Sequence, residues 1–142
     1  MFIIGFTTSA NAVTVEIPQV EETKVFKLDN VYGSVYTKDQ IAELVNANAI
    51  KYGVSASKMM NTIECESSYK NVQSSHILGV GHKAADKNGR EDSWGISQIN
   101  MYWHPEVSKK QALDPYFAVQ FMARQFSLGK ASEWSCYRLK YQ

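Results

Sequence analysis

The sequence has little of what marks several common functional classes. It has two cysteines, Cys65 and Cys136, with no CxxC pair and no Cys/His cluster. A structural zinc site is therefore not expected. Net charge is only +1 over 142 residues. A nucleic-acid binder normally carries a strong basic excess, so that partner is excluded. No apolar run is long enough to span a bilayer, so stable membrane insertion is not expected either. His76 and His82 lie six apart in a polar stretch, a spacing that makes a weak metal signal. No metal or cofactor is expected.

What remains is one domain's worth of chain, long enough to bury a real core and expected to act as a monomer. The C-terminal quarter is mildly basic (Lys109, Lys110, Arg124, Lys130, Arg138, Lys140). That reads as a solvated face; the alternative is weak attraction to an anionic polymer such as a bacterial wall. Met1 to Phe6 is a short apolar run, and Ala10-Asn11-Ala12 fits the small-x-small pattern of a signal-peptidase site. The basic n-region and a full-length h-region are missing. Either this is a truncated signal peptide or an ordinary start, and export is the expectation. Residues 1–36 then read as a signal remnant plus an extended linker arm, and 37–142 as the domain. The two cysteines are either buried free thiols or one bridge. In an exported chain the bridge is expected, and closing so long a loop is worth roughly 4 kcal/mol in the chain-entropy model.

Helices dominate the domain. Thr37-x-x-Gln40 is a capping-box pattern. Ile41, Leu44, Val45, Ala49 and Tyr52 follow at helical steps, and Gly53 ends the run. Ser55 is the next N-cap, with Met59, Met60, Ile63 and Ser67 sharing one side. Asp114-Pro115 opens a third helix, with Ala118, Phe121, Met122 and Gln125 on one face and Gly129 as its stop. The stretch 132–139 reads as a last short helix. Asn88-Gly89 predicts a small hairpin around Asp86 to Arg90, inside a long polar loop of the kind that is usually functional or mobile.

The chemistry concentrates at Glu64-Cys65-Glu66-Ser67-Ser68-Tyr69. Glu66 falls in the last turn of the second helix, and Glu64 points to another face. A helix C-terminus disfavours a carboxylate, and burial adds a desolvation penalty. Both favour a protonated Glu66, the state a general acid needs. The plainer alternative is a solvated terminal glutamate. Asp92-Ser93-Trp94-Gly95-Ile96-Ser97-Gln98-Ile99-Asn100, then Met101-Tyr102-Trp103-His104-Pro105, interleaves aromatics with amides. Aromatic faces stack on sugar rings, and amides bridge hydroxyl and acetamido groups. Gly95 would let the backbone approach a ligand. A short core helix stopped by Pro105 is the competing reading.

Three stretches carry a resemblance to a known family. Glu66-Ser67-Ser68-Tyr69 resembles the Glu-Ser-x-aromatic motif of the soluble lytic transglycosylase (SLT) catalytic domain, a lysozyme-like fold related to goose-type lysozyme. Gly95-Ile96-Ser97-Gln98-Ile99 resembles that family's Gly-Leu-Met-Gln motif. Trp134 to Tyr137 falls where the family carries Ala-Tyr-Asn. Ser97 stands in place of methionine, Ile96 in place of leucine, and no asparagine follows Tyr137. The resemblance spans 38–139. It implies a mainly α, lysozyme-like domain with a small hairpin lining a cleft, acting without a cofactor on peptidoglycan glycan strands outside the cytoplasm. It implies Glu66 as sole acid/base, with Ser67 orienting it. Gly95, Ile96, Ser97 and Gln98 would bind the acetamido-sugar, and Tyr137 would line the site. The expected product is a 1,6-anhydro-muramyl end. A loop carboxylate (Asp86, Glu91 or Asp92) placing a water would instead give hydrolysis. A non-catalytic wall-binding module is the third reading.

Overall fold

The computed structural model describes residues 27–142. The small-x-small sequence at 10–12 and the alternating residues before Lys27 lie outside the described residues. Among the described residues are five α-helices: α1 (Lys38–Tyr52), α2 (Ala56–Ser67), α3 (Lys109–Ala112), α4 (Pro115–Ser127) and α5 (Ser135–Tyr141). A two-stranded antiparallel sheet pairs β1 (Ser93–Trp94) with β2 (Ile99–Asn100), Ser93 opposite Asn100 and Trp94 opposite Ile99. No helix among the described residues is long and apolar enough to cross a membrane.

Local chemistry sets the helix limits. The Thr37 hydroxyl accepts from the Gln40 N–H while the Gln40 side chain accepts from the Thr37 N–H, which closes the expected capping box. Gly53, left-handed at φ 65°, ends α1. Ser55 caps α2 through the Lys58 N–H, and Asp114 caps α4 through the Tyr116 N–H with Pro115 in the first turn. The short α3 was not anticipated. Its own capping box, Ser108 with Gln111, repeats the Thr37–Gln40 spacing, but four residues are too few to show a helical period.

Apolar faces hold these helices together. α1 packs on α4 and on α2, and α5 lies against α2. Ile41, Val45, Met59, Ile63, Val119 and Met122 are fully covered. Each such side chain contributes about 1.5–3 kcal/mol by leaving water. Leu44 and Tyr52, read as core residues, sit at its edge.

The segment before α1 is more than a linker. Leu28 and Tyr36 are buried in the core. The Gly33 N–H donates to the Asn71 carbonyl (2.8 Å), the Asn71 N–H to the Ser34 carbonyl (2.8 Å), and the Tyr36 N–H to the Tyr69 carbonyl (3.0 Å). Residues 27–36 therefore pair with the turn that follows α2.

The polar stretch after that turn is packed and internally bonded. Asn71 is fully buried and donates to the Val31 and Leu113 carbonyls. Asp86 organises the Asn88-Gly89 turn, accepting from the Asn88 and Arg90 N–H groups and from the Gln73 amide. The predicted hairpin is thus one tight turn carrying the single bridge Ala85–Glu91. The regular ladder lies farther on, across Gly95 to Gln98. Gly95 has φ 75°, and a Cβ there would stand 1.8 Å from the Ala112 carbonyl oxygen. What approaches its backbone is the end of α3, not an open ligand space. Gly95→Ala should destabilise the domain by at least about 2 kcal/mol, combining the strained φ with the clash. Urea unfolding of the variant checks this; an unchanged midpoint would remove the close approach from the account.

Candidate active site

The last turn of α2 brings Glu66 to the wall of a cleft of about 440 Å³. Ser68 and Tyr69 follow with left-handed φ of 50° and 62°. They turn the chain sharply, so Tyr69 drops into the core while Glu66 stays half-buried at the cleft. Glu64, two residues earlier, is exposed.

Two groups from a distant part of the chain hold the Glu66 carboxylate. Its Oε1 accepts from the Cys136 N–H at 3.0 Å and from the Ser135 hydroxyl at 3.3 Å. Both belong to the first turn of α5, whose preceding residue Trp134 offers no side-chain cap. Glu66 therefore takes the place of a capping side chain, meeting one of the unpaired N–H groups of a helix start. The disulfide Cys65–Cys136, with Cα atoms 5.9 Å apart, fixes this meeting of α2 and α5. The expected bridge is formed, and no cysteine is free.

These contacts set opposing demands on the Glu66 proton. Burial is the largest influence and raises its pKa. The Cys136 N–H and the Ser135 hydroxyl favour the ionised form and lower it. The nearby Glu91 carboxylate raises it and Arg138 lowers it. The net shift is upward. The folded protein thus binds this proton more tightly than the unfolded chain. The stabilisation is complete below the unfolded pKa and is lost as pH rises through the higher, folded one.

The other site residues named from the sequence divide into two groups. Gln98 lines the cleft, left-handed at φ 50°. Its amide nitrogen donates to the Val72 and Gly95 carbonyls at 3.0 and 2.7 Å, so its oxygen is the end that can meet a ligand. Gly95, Ile96 and Ser97 are buried beneath the cleft and do not line it. The Ser97 hydroxyl donates to the Ala118 carbonyl, and Ile96 is core. Ser67 does not orient Glu66: its hydroxyl donates to the Ile96 carbonyl at 2.7 Å and to the Ile63 carbonyl, tying α2 to the sheet loop. Tyr137 does not line the cleft; its ring packs on Phe126 and Tyr141. Burial decides which residues of these segments face the cleft.

Among the loop carboxylates only Glu91 faces the cleft. It accepts from the Ser74 hydroxyl at 2.8 Å. Asp86 is committed to its turn, and its three donors hold it below the usual carboxylate range, the Gln73 amide foremost. Asp92 accepts from the Trp94 indole at 2.6 Å and pairs with Lys109 at 3.2 Å. Of the two tryptophans at the cleft, Trp134 is buried and Trp103 is 57% exposed; the Lys83 ammonium lies 4.6 Å from the Trp103 ring centre, so a flat ligand would stack on the other face or displace the lysine. Trp94 is tied down elsewhere. His104, read only as part of an aromatic run, is buried at the cleft wall with its two nitrogens each 3.4 Å from a carboxylate, Glu106 and Glu133. The spacing of His104 and Glu133 in sequence gives no hint of that link. His76 lies 3.8 Å from Glu91, and the His82 ring accepts from the Ala84 N–H. No group of three metal-ligating side chains gathers among the described residues.

The electrostatic account yields a signed pair of predictions. Ser135→Ala removes a donor to the carboxylate and should raise the Glu66 pKa; Glu91→Gln removes a neighbouring negative charge and should lower it. Carbon-detected NMR titration of the Glu66 carboxyl reads both, and shifts of the same sign would contradict the assignment. No protein-family model, no curated protein and no solved structure matches this chain.

Proposed function

We propose that the protein is a peptidoglycan lytic transglycosylase of lysozyme-like type. It cleaves the MurNAc–β-1,4–GlcNAc bond with Glu66 as its one acid/base. The observation that carries this reading is the half-buried Glu66 carboxyl, pKa raised, in a cleft it shares with the Gln98 amide and an exposed Trp103. A glycan stacked on Trp103 would have apolar C–H faces against the indole, and the Gln98 oxygen would accept from an acetamido N–H or a hydroxyl.

The proton steps follow from this arrangement. Neutral Glu66 gives its proton to the glycosidic oxygen as the bond from the muramyl C1 to that oxygen breaks. The resulting carboxylate is the form that the Cys136 N–H and Ser135 hydroxyl favour. It then accepts the proton of the same sugar's C6 hydroxyl while O6 bonds to C1. Overall, one C–O bond breaks, one forms, and one proton passes from O6 to the leaving oxygen. Intramolecular attack needs no bound water, because the nucleophile is already held beside C1.

A second reading is favoured by one specific observation. Glu91 lines the same cleft and its charge raises the Glu66 pKa. If Glu91 places a water, the product is a reducing end, as in a hydrolytic lysozyme. Export to the periplasm, wall or exterior is part of either reading, and the bridged cysteines support it.

Mass spectrometry of digested muropeptides is the test. Anhydro ends are expected; reducing ends would favour the Glu91 reading, and no cleavage would leave only a wall-binding module. Glu66→Gln should lower turnover by roughly 10²–10⁴-fold, with the unfolding midpoint moving by less than about 5 °C. Glu64→Gln, on the exposed face, should stay active. Trp103→Ala should weaken glycan binding by roughly 3- to 10-fold. Activity should fall by about tenfold per pH unit above the raised Glu66 pKa, because only the protonated form starts the reaction.

A further inference from the structure

The Cys65–Cys136 bridge sits where a staple for the whole domain would not need to be. Cys65 directly precedes Glu66, and Cys136 supplies the N–H that Glu66 accepts. The core is complete without either. Trp134 is the last buried residue along the chain, anchored by its indole N–H to the Ser97 carbonyl at 2.6 Å. Beyond it, α5 buries no residue at all.

Besides the bridge, α5 is held by modest contacts: Tyr137 packs half-buried against the edge of the core, and the Arg138 guanidinium donates to the Ser132 and Glu133 carbonyls. Asn61 donates to the Tyr141 hydroxyl at 2.8 Å. The Tyr137 ring meets Phe126 edge-on at 5.2 Å, and the Lys58 ammonium lies over the Tyr137 and Tyr141 rings. A seven-residue helix is well below the length that persists on its own in water. The bridge is its covalent tie to α2, at the residue whose N–H meets Glu66. The tether replaces a loop of about seventy residues by a direct link, which is what a weak contact needs to stay formed.

We propose that the Cys65–Cys136 bridge is the positioning element of the Glu66 site, and that a dithiol reductant opening it disarms Glu66 while the helical core stays folded. Cys65 is exposed and Cys136 half-buried, so a dithiol thiolate can reach the bond. The exchange is balanced: the protein's S–S bond breaks and takes up two electrons and two protons as two thiols. The reductant loses the same and closes its own S–S bond. Cys136 is thus a positioning residue, acting through its N–H and its sulfur on the carboxyl that does the chemistry. The effect on turnover rests on the transglycosylase reading; the effect on structure and titration does not.

The experiment compares the full chain oxidised, reduced with dithiothreitol, reoxidised, and as the Cys65→Ser/Cys136→Ser double variant. Three measurements are made: amide exchange, NMR titration of the Glu66 carboxyl, and muropeptide release. Opening the bridge should expose the Cys136 and Arg138 amides, bonded to Glu66 and the Trp134 carbonyl, while α1 and α4 keep their protection. The Glu66 pKa should move back toward the ordinary carboxylate range: relief of burial, the largest cause of its shift, lowers it by more than the loss of the Cys136 and Ser135 donors raises it. Muropeptide release should fall at least tenfold and return on reoxidation. Unchanged Cys136 protection with unchanged Glu66 titration would overturn the proposal. So would simultaneous loss of protection in α1, α4 and α5, which would make the bridge a global staple. If the oxidised protein releases no muropeptides, the transglycosylase reading fails, and exchange and titration still decide the positioning claim.

Discussion

Two helix ends of opposite polarity converge on one carboxyl oxygen. Glu66 closes α2, where the exposed carbonyls repel negative charge, and it caps the start of α5, where the N–H groups attract it. Burial then tips the balance toward the neutral form. A carboxyl in that position gains from either protonation state: burial favours the acid, and the donors favour the base. A group that gives and takes a proton in one turnover would need such a balance, and here the donor half of it comes from α5, which the disulfide ties to α2.

Polar side chains in and behind the cleft wall serve the backbone. Asn71, Asp86, Gln98 and Asn100 each bond to main-chain groups of neighbouring turns. They do the work of a sheet in a segment with only two short strands. Unpaired backbone groups would be costly where that segment is covered, at Asn71 and Gln73 and over most of 93–100. Gln98 and Asn100 reach the cleft wall from this framework, beside the exposed Trp103 ring.

Helix limits were legible in the sequence because capping is local: Thr37 with Gln40, Ser55 with Lys58, and Asp114 with Pro115 each act within one turn. The placement of Glu66 at a helix end was legible for the same reason. Its donors were not, because Ser135 and Cys136 lie about seventy positions away in sequence. Nor was the burial of Gly95, Ile96 and Ser97. A small residue in a turn looks the same in sequence whether a ligand or a carbonyl oxygen, here that of Ala112, presses against it. Glu91 and Asp92 are adjacent, and alternation along the chain sends one to the cleft and the other to Trp94 and Lys109. Residue type alone could not rank them.

The pairing of residues 27–36 with the turn after α2 bears on how this domain can be dissected. A boundary drawn at Thr37, where the helical pattern begins, would cut away Leu28 and Tyr36 from the core. It would also leave the Tyr69 and Asn71 carbonyls without the N–H groups of Tyr36 and Gly33. Those carbonyls lie at and just after the second of the two left-handed residues, Ser68 and Tyr69, that swing the chain past Glu66. Among the described residues, the packed unit therefore begins before its first helix, in a stretch that looks, letter by letter, like a tether.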